Sequence, residues 1–281
     1  MAYRFVALVA CVVVCGGCLK PTPFQDEPSQ TKLTSKALRA LASQPEPPRR
    51  WSFLAFGDTH DEYDDLERSV GIMNQSDARL ALIAGDLCDR GTLQEFEWSG
   101  ELYRQLSMPF FTVIGNHDEL SDGPHIYARM YGPREYSFSY GGLKFVLFDS
   151  NTLENNAAPN RDWITQQIHD RGDDQVVLVT HQSVTEPNDL EGGTAREFYD
   201  DLLASGDVAL VVHGHLDEYR LRLVHNVPVL QCGTFETQRT HTLVDFDGTA
   251  FSFTRCHFDE CESVEPDAEG DAAPAEGEVA P

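Results

Sequence analysis

Seven side chains in this sequence have the types that hold divalent cations: Asp58, His60, Asp86, Asn116, His181, His213 and His215. They are carboxylates, imidazoles and an amide, with no thiolate among them. Such donors suit borderline or hard ions such as Mn, Fe or Zn. Seven donors are too many for one ion at a catalytic site that must keep positions open. Two ions about 3.5–4 Å apart, sharing one bridging carboxylate, would use them all. A water between two cations loses a proton near neutral pH and becomes a hydroxide nucleophile.

Taken singly, each residue has a plainer reading. Gly85-Asp86 with Asp89 fits a surface turn, since Gly and Asp are common turn residues. The distinguishing feature is position, because every donor follows a short apolar run. Ser52 to Phe56 leads into Gly57-Asp58-Thr59-His60, and Arg79 to Ala84 into Gly85-Asp86-Leu87-Cys88-Asp89-Arg90. Pro109 to Ile114 leads into Gly115-Asn116-His117-Asp118, Gln175 to Thr180 into His181, and Val208 to Val212 into His213-Gly214-His215. Runs that short read as buried strands. The carboxyl edge of an open α/β sheet is where such folds bind ligands.

Helices are expected up to about Asn74, from Leu93 to Leu106, from Arg161 to Arg171 and from Ala195 to Ala204. Three strand–loop–helix units in succession imply a parallel sheet with right-handed crossovers. Tyr136 to Tyr140, Gly141-Gly142 and Leu143 to Phe148 read as a hairpin with a two-glycine turn. Tyr219 to Thr254 alternates as short strands and is expected to form a second sheet.

Five ordered blocks resemble the calcineurin-like metallophosphoesterase superfamily: Asp58-x-His60, Gly85-Asp86-x-x-Asp89-Arg90, Gly115-Asn116-His117-Asp118, His181, and His213-Gly214-His215. The resemblance covers about Trp51 to Asp217. It implies an α/β fold, a two-sheet β-sandwich flanked by helices. It also implies that Asp58, His60 and His215 hold a first ion, that Asn116, His181 and His213 hold a second, and that Asp86 bridges. His117 would protonate the leaving oxygen with Asp89 orienting its ring. Arg90 would hold a phosphate oxygen through its fork of donors, or else pair with a local acid.

The resemblance implies a two-metal hydrolase acting on a phosphorylated small molecule. Asp89-Arg90-Gly91 resembles the form seen in the phosphoprotein phosphatase branch and favours phosphomonoesters. A cyclic-nucleotide or other phosphodiesterase is the close alternative. A non-catalytic, metal-binding surface lipoprotein is the third reading, and its sign would be loss of His117 or of a metal ligand. None is lost.

Bulk composition narrows the partners. With 46 acidic against 21 basic residues the net charge is −25. Affinity for nucleic acid rests on Lys and Arg neutralising phosphates, so no nucleic-acid partner is expected.

Residues 1–17 read as a signal peptide: Arg4 precedes the apolar run Phe5 to Val14, which is too short to span a bilayer. Gly16-Gly17-Cys18 resembles a bacterial lipoprotein processing site, which implies export and a lipid anchor on Cys18 at the periplasmic or cell-surface side of a membrane. Residues 18–50, with six prolines from 19 to 50, read as a tether holding one short helix at Lys32 to Ala42. The folded domain is expected over 51–257. Residues 258–281, with nine acids and no base, read as a disordered tail.

The remaining candidates take plainer readings. Cys256 and Cys261 can close a short loop in an oxidising compartment. Cys88 reads as a small buried residue. His125, His169, His225, His241 and His257 read as surface or core histidines. Asp149-Ser150 reads as a turn or as support behind the site. Asp61, Glu62, Asp64 and Asp65 read as a solvated first helical turn, and Glu186 to Gly193 as a flexible loop near His181.

Overall fold

The computed structural model describes residues 27–151, 160–185 and 193–268. The proposed signal peptide and Cys18 lie outside them, as does nearly all of the loop from Glu186 to Gly193. Among the described residues no helix is long and apolar enough to cross a membrane.

Strands β1 (Trp51–Phe56), β2 (Ala81–Ile83) and β3 (Phe110–Thr112) run parallel as expected, joined by α2 (Tyr63–Met73) and α3 (Leu93–Tyr103). Thr92 and Glu95 close a reciprocal capping box at the start of α3, satisfying backbone N–H groups that the first turn leaves open. A helix the sequence reading did not anticipate, α4 (Gly123–Met130), follows β3.

The second sheet begins with the hairpin of β4 (Tyr136–Tyr140) and β5 (Leu143–Leu147). Its turn glycines, Gly141 and Gly142, have φ of 59° and 84°, a backbone that side chains with a Cβ resist. The sheet continues through α5 (Arg161–His169), β6 (Gln175–Val179), α6 (Gly193–Ala204) and β7 (Val208–His213). It then takes in β8 (Arg220–Val224) and β9 (Val227–Gln231), giving the order β4-β5-β6-β7-β9-β8.

The chain then returns to the first sheet. Strands β10 (Thr240–Phe246), β11 (Phe251–His257) and β12 (Glu260–Val264) extend it to the order β12-β11-β10-β1-β2-β3. This corrects the expectation that Tyr219 to Thr254 forms a sheet of its own. The segment splits, β8 and β9 completing one sheet and β10 and β11 the other. Alternation identifies strands, but not the neighbours with which they pair.

Three apolar layers hold the sandwich. Phe53, Ala55, Leu82 and Phe111 face Phe145, Leu147, Val177, Val179 and Leu210 between the sheets. Leu54, Phe56 and Ile83 point the other way, under Leu66, Val70, Phe96 and Tyr127 of the first set of helices. Val146, Val176, Leu178 and Val211 pack under Ile164, Ile168, Tyr199 and Leu203. Strands covered on both faces are apolar at every position, which explains the continuous runs.

Two boundaries move. Helix α1 (Leu33–Ala42) falls in the segment that reads as a tether, yet Leu33, Ala37 and Leu41 are buried and Ala37 and Leu41 join the inter-sheet core with Trp51. Burial of those apolar side chains fixes it to the domain. Residues 258–268, read from sequence as part of a disordered tail, are ordered, and the rest of that tail lies outside the described residues. β12 pairs with β11, Cys256 and Cys261 form a disulfide across them, and the Asp267 N–H donates to the Leu221 carbonyl at 2.9 Å.

Candidate functional site

The five strand exits meet at one edge of the sandwich. β1 to β3 deliver Asp58, His60, Asp86, Asn116 and His117 from one sheet, and β6 and β7 deliver His181, His213 and His215 from the other. Asp86 Oδ2 lies 3.3 Å from His181 Nε2 and 3.7 Å from His60 Nε2. Asn116 Oδ1 lies 2.8 Å from His181 Nε2 and 2.9 Å from His215 Nδ1. The His215 N–H donates to Asp58 Oδ1 at 2.8 Å, and the His117 N–H to Asp86 Oδ1 at 2.9 Å.

Two sets of donor atoms lie within 4.8 Å of one another: Asp58 with Asp86 and His181, and His60 with Asp86 and His117. Asp86 belongs to both, as a bridging carboxylate must. The grouping differs from the ligand division that the resemblance implies, since Asp58 falls with His181 and His117 sits beside His60.

Buried donor atoms test whether a cation fits here. Asp58 Oδ2, His60 Nδ1 and His213 Nε2 are buried and lack any hydrogen-bond partner. Buried polar atoms are normally satisfied, so three partnerless donors gathered beside two carboxylates fit a cation. His213 Nδ1–H donates to the Gly214 carbonyl at 2.9 Å and His181 Nδ1–H to the Ala84 carbonyl at 2.8 Å. Backbone carbonyls thereby orient both rings, the usual support for a ligating imidazole, with His181 Nε2 facing Asp86 and Asn116 and His213 Nε2 buried without a partner.

Electrostatics agree. Burial pushes the His213 imidazole down to about 3, and burial with the nearby His181 charge pushes His215 down to about 4. Burial also lowers His60. Neutral imidazole is the form that binds metal. Burial raises Asp58. Burial alone would also raise Asp86, but the facing His181 outweighs it and holds that carboxyl down. The same pairing holds His181 charged against the opposing effect of its burial. The carboxylates thus favour positive charge beside them, which either a proton or a metal cation satisfies.

The backbone is strained where the donors stand. Asp58, His60, Asp86 and His215 have φ of 50°, 44°, 48° and 72°. Left-handed backbone in a non-glycine residue costs on the order of 1–3 kcal/mol and clusters at functional sites. The block glycines act differently: a methyl on Gly115 would overlap Asp86, and one on Gly214 would overlap Asp58 Oδ2.

Asp118, part of a block but given no role from sequence, proves to be a hub. Its fully buried carboxylate accepts from the N–H groups of Leu87, Cys88 and Gly115 at 2.8, 3.1 and 2.8 Å. It therefore pins the Asp86 loop to the Asn116 loop. Cys88 is buried, its Sγ 3.2 Å from Asp118 Oδ1, and burial pushes its thiol up. That environment suppresses the thiolate a nucleophile would need.

His117 is held by its own loop partner. Nδ1–H donates to the Asp89 carbonyl oxygen at 2.9 Å, with Asp89 Oδ1 at 3.4 Å. Arg90 lies 3.1 Å from Asp89 Oδ2 with its side chain 71% exposed. Ser150 Oγ accepts from the Gln182 N–H at 2.8 Å and so supports the His181 loop. In the acidic cluster after His60, Asp65 is not merely solvated but ion-paired with Arg239. His125 and His225 pair with Asp122 and Asp200 away from the centre, and His241 is buried in β10.

A sequence model of calcineurin-like phosphoesterases matches residues 52–219. The chain is 23% identical over 195 residues to a 3',5'-cyclic-nucleotide phosphodiesterase of Nostoc sp., covering 64% of this chain and 73% of that one. It is 29% identical over 110 residues to purple acid phosphatase 13 of Arabidopsis thaliana, covering 37% of this chain and 20% of that protein. A dimetal phosphatase from Danio rerio superposes with a TM-score of 0.59 at 14% identity, over 76% of this chain and 98% of that one.

Proposed function

The chain belongs to the calcineurin-like phosphoesterase family, hydrolases of phosphoric esters, and on that premise we propose a two-cation phosphoesterase with His117 as general acid. The carrying observation is that strand-end donors from both sheets converge on Asp86 while Asp58 Oδ2 and His213 Nε2 lack protein partners. Asp58, His60, His215, Asn116, His181 and His213 would hold two ions of the Mn, Fe or Zn type, with Asp86 between them. When bound, such ions acidify water and neutralise charge on a phosphoryl group.

The chain's own part is positioning and proton transfer. Asp89 turns His117 by accepting from Nδ1–H through its backbone carbonyl, leaving Nε2 to donate a proton to the departing oxygen. A positioned acid of this kind contributes roughly 10²–10⁴-fold, most for poor leaving groups. His117→Ala is expected to keep both ions and slow an alkyl phosphate ester by that factor. It should leave p-nitrophenyl esters, whose leaving group needs no acid, far less affected. Equal slowing of both would remove the general-acid role.

Between ester classes we favour diesters. Asp89-Arg90-Gly91 points to monoesters, but Arg90 is largely exposed beside Asp89 and carries no weight for either class. A cyclic-nucleotide phosphodiesterase is among the relatives matching most of the domain. Turnover of bis(p-nitrophenyl) phosphate against p-nitrophenyl phosphate with added Mn decides; faster monoester hydrolysis restores the first reading. Export with a lipid on Cys18 is proposed from Gly16-Gly17-Cys18, and loss of membrane association and of palmitate labelling in Cys18→Ser tests it.

A further inference from the structure

The proposed centre straddles two sheets that share an apolar interface and no strand pairing. Apolar packing is non-directional, so the spacing of the two ligand sets at the open edge needs polar struts. Some struts are the ligands themselves, such as His181 reaching Ala84. One that is not is Arg134, on the connection between α4 and β4.

Arg134 Nη1 donates to Glu119 Oε1 at 2.7 Å and to Asp149 Oδ2 at 2.8 Å. Both acids are nearly buried, at 3% and 10% exposure, with Arg134 at 27%. Glu119 belongs to the turn carrying Asn116 and His117, and its N–H donates to the Asn116 carbonyl at 3.2 Å. Asp149 begins the exit from β5 in the other sheet, followed by Ser150, which holds the Gln182 N–H, and Asn151, whose Nδ2 donates to the Ile114 carbonyl at 3.0 Å. A single guanidinium group thus ties the Asn116–His117 turn to the segment that supports His181.

We infer that Arg134 is a positioning residue: by clamping Glu119 of one sheet to Asp149 of the other, it sets the spacing between the two halves of the cation centre. Charge-assisted bonds between buried partners are the shorter and stronger kind, and the cation separates two acids that would otherwise repel each other across the gap. The inference rests on the two-cation reading, and its test does not require turnover.

The experiment loads purified full-length protein with Mn(II) and reads stoichiometry, affinity and the electron paramagnetic resonance spectrum. Wild type is expected to bind two ions and give the multiline spectrum of a coupled pair. Arg134→Gln is expected to lose about tenfold or more in affinity for the weaker ion and to show isolated Mn(II) lines. Arg134→Lys, which keeps the charge on a different reach, is expected to fall between them while melting close to wild type. Should Arg134→Gln not fold, the lysine variant decides. Coupled pairs of undiminished affinity in the variants that fold would overturn the positioning role. A wild type binding no ion pair would overturn the two-cation reading and the inference with it.

Discussion

The donor-rich edge of the sandwich draws on both sheets and the arm formed by β10, β11 and β12 on the first alone, and the two are built on opposite terms. At the edge, Asp58, His60, Asp86 and His215 occupy left-handed backbone, and buried donor atoms lack partners. In the arm, strands pair residue for residue over Thr240–Phe246 and Phe251–His257, and Cys256 is bonded to Cys261. The first region gathers strained backbone around donor side chains, while the second, His241 Nδ1 apart, is built from regular pairing and a disulfide. Edge substitutions should therefore cost function more than folding, and arm perturbations the reverse.

Asp86→Ala is the most severe edge test. It removes the one carboxylate common to both donor sets, so metal content should collapse and turnover fall on the order of 10⁴-fold. The metal-free protein should melt lower than wild type, because His181 loses the buried carboxylate that faces it, but the loss of turnover should far exceed that change. Retained turnover would break the comparison.

Gly214→Ala is milder. The added methyl must displace Asp58 Oδ2, and disturbing the support of a ligand typically costs 10–100-fold in metal affinity. Metal titration reads it, and unchanged affinity would mean that the glycine serves only the turn.

The arm holds a buried imidazole, His241, which burial pushes down to about 4. Its neutral form is the one the fold accepts, while the unfolded chain takes up a proton below about 6.5. Stability is therefore complete above that pH and declines as pH falls toward 4, by about 3 kcal/mol in total. Denaturant titrations from pH 8 to 4 should show this slope reduced in His241→Leu. An equal slope in both proteins would assign it to other groups.

Reducing Cys256–Cys261 should have the smallest effect. The loop between them is short, so its release costs about 2 kcal/mol. Turnover at 25 °C should be unchanged while the melting temperature drops; loss of turnover on reduction would show that the arm holds the edge in shape.

Much of the edge was legible in the chain. The runs ending at Asp58, Asp86, Asn116, His181 and His213 read as strands because burial on both faces makes every position apolar, and the donors were visible because polar residues interrupt those runs. Asp118 was visible but not interpretable, since its role depends on backbone N–H groups about thirty residues away. Arg134 gave no signal, being an ordinary arginine in a loop until two acids from different sheets close on it.

Residues 219–268 show the other limit. Alternation marked the strands from Tyr219 to Thr254, but it could not send β8 and β9 to one sheet and β10 and β11 to the other, and the acidic composition after residue 257 hid β12. Helix α1 was found and its burial was not. The sequence by itself determined which residue types end which strands, because side-chain chemistry and local periodicity are properties of neighbouring positions. Tertiary structure alone decided which strands pair, which donor atoms lie within one ion's reach and which remain unsatisfied. Those are distances between segments far apart in the chain, fixed only when apolar burial brings the two sheets together.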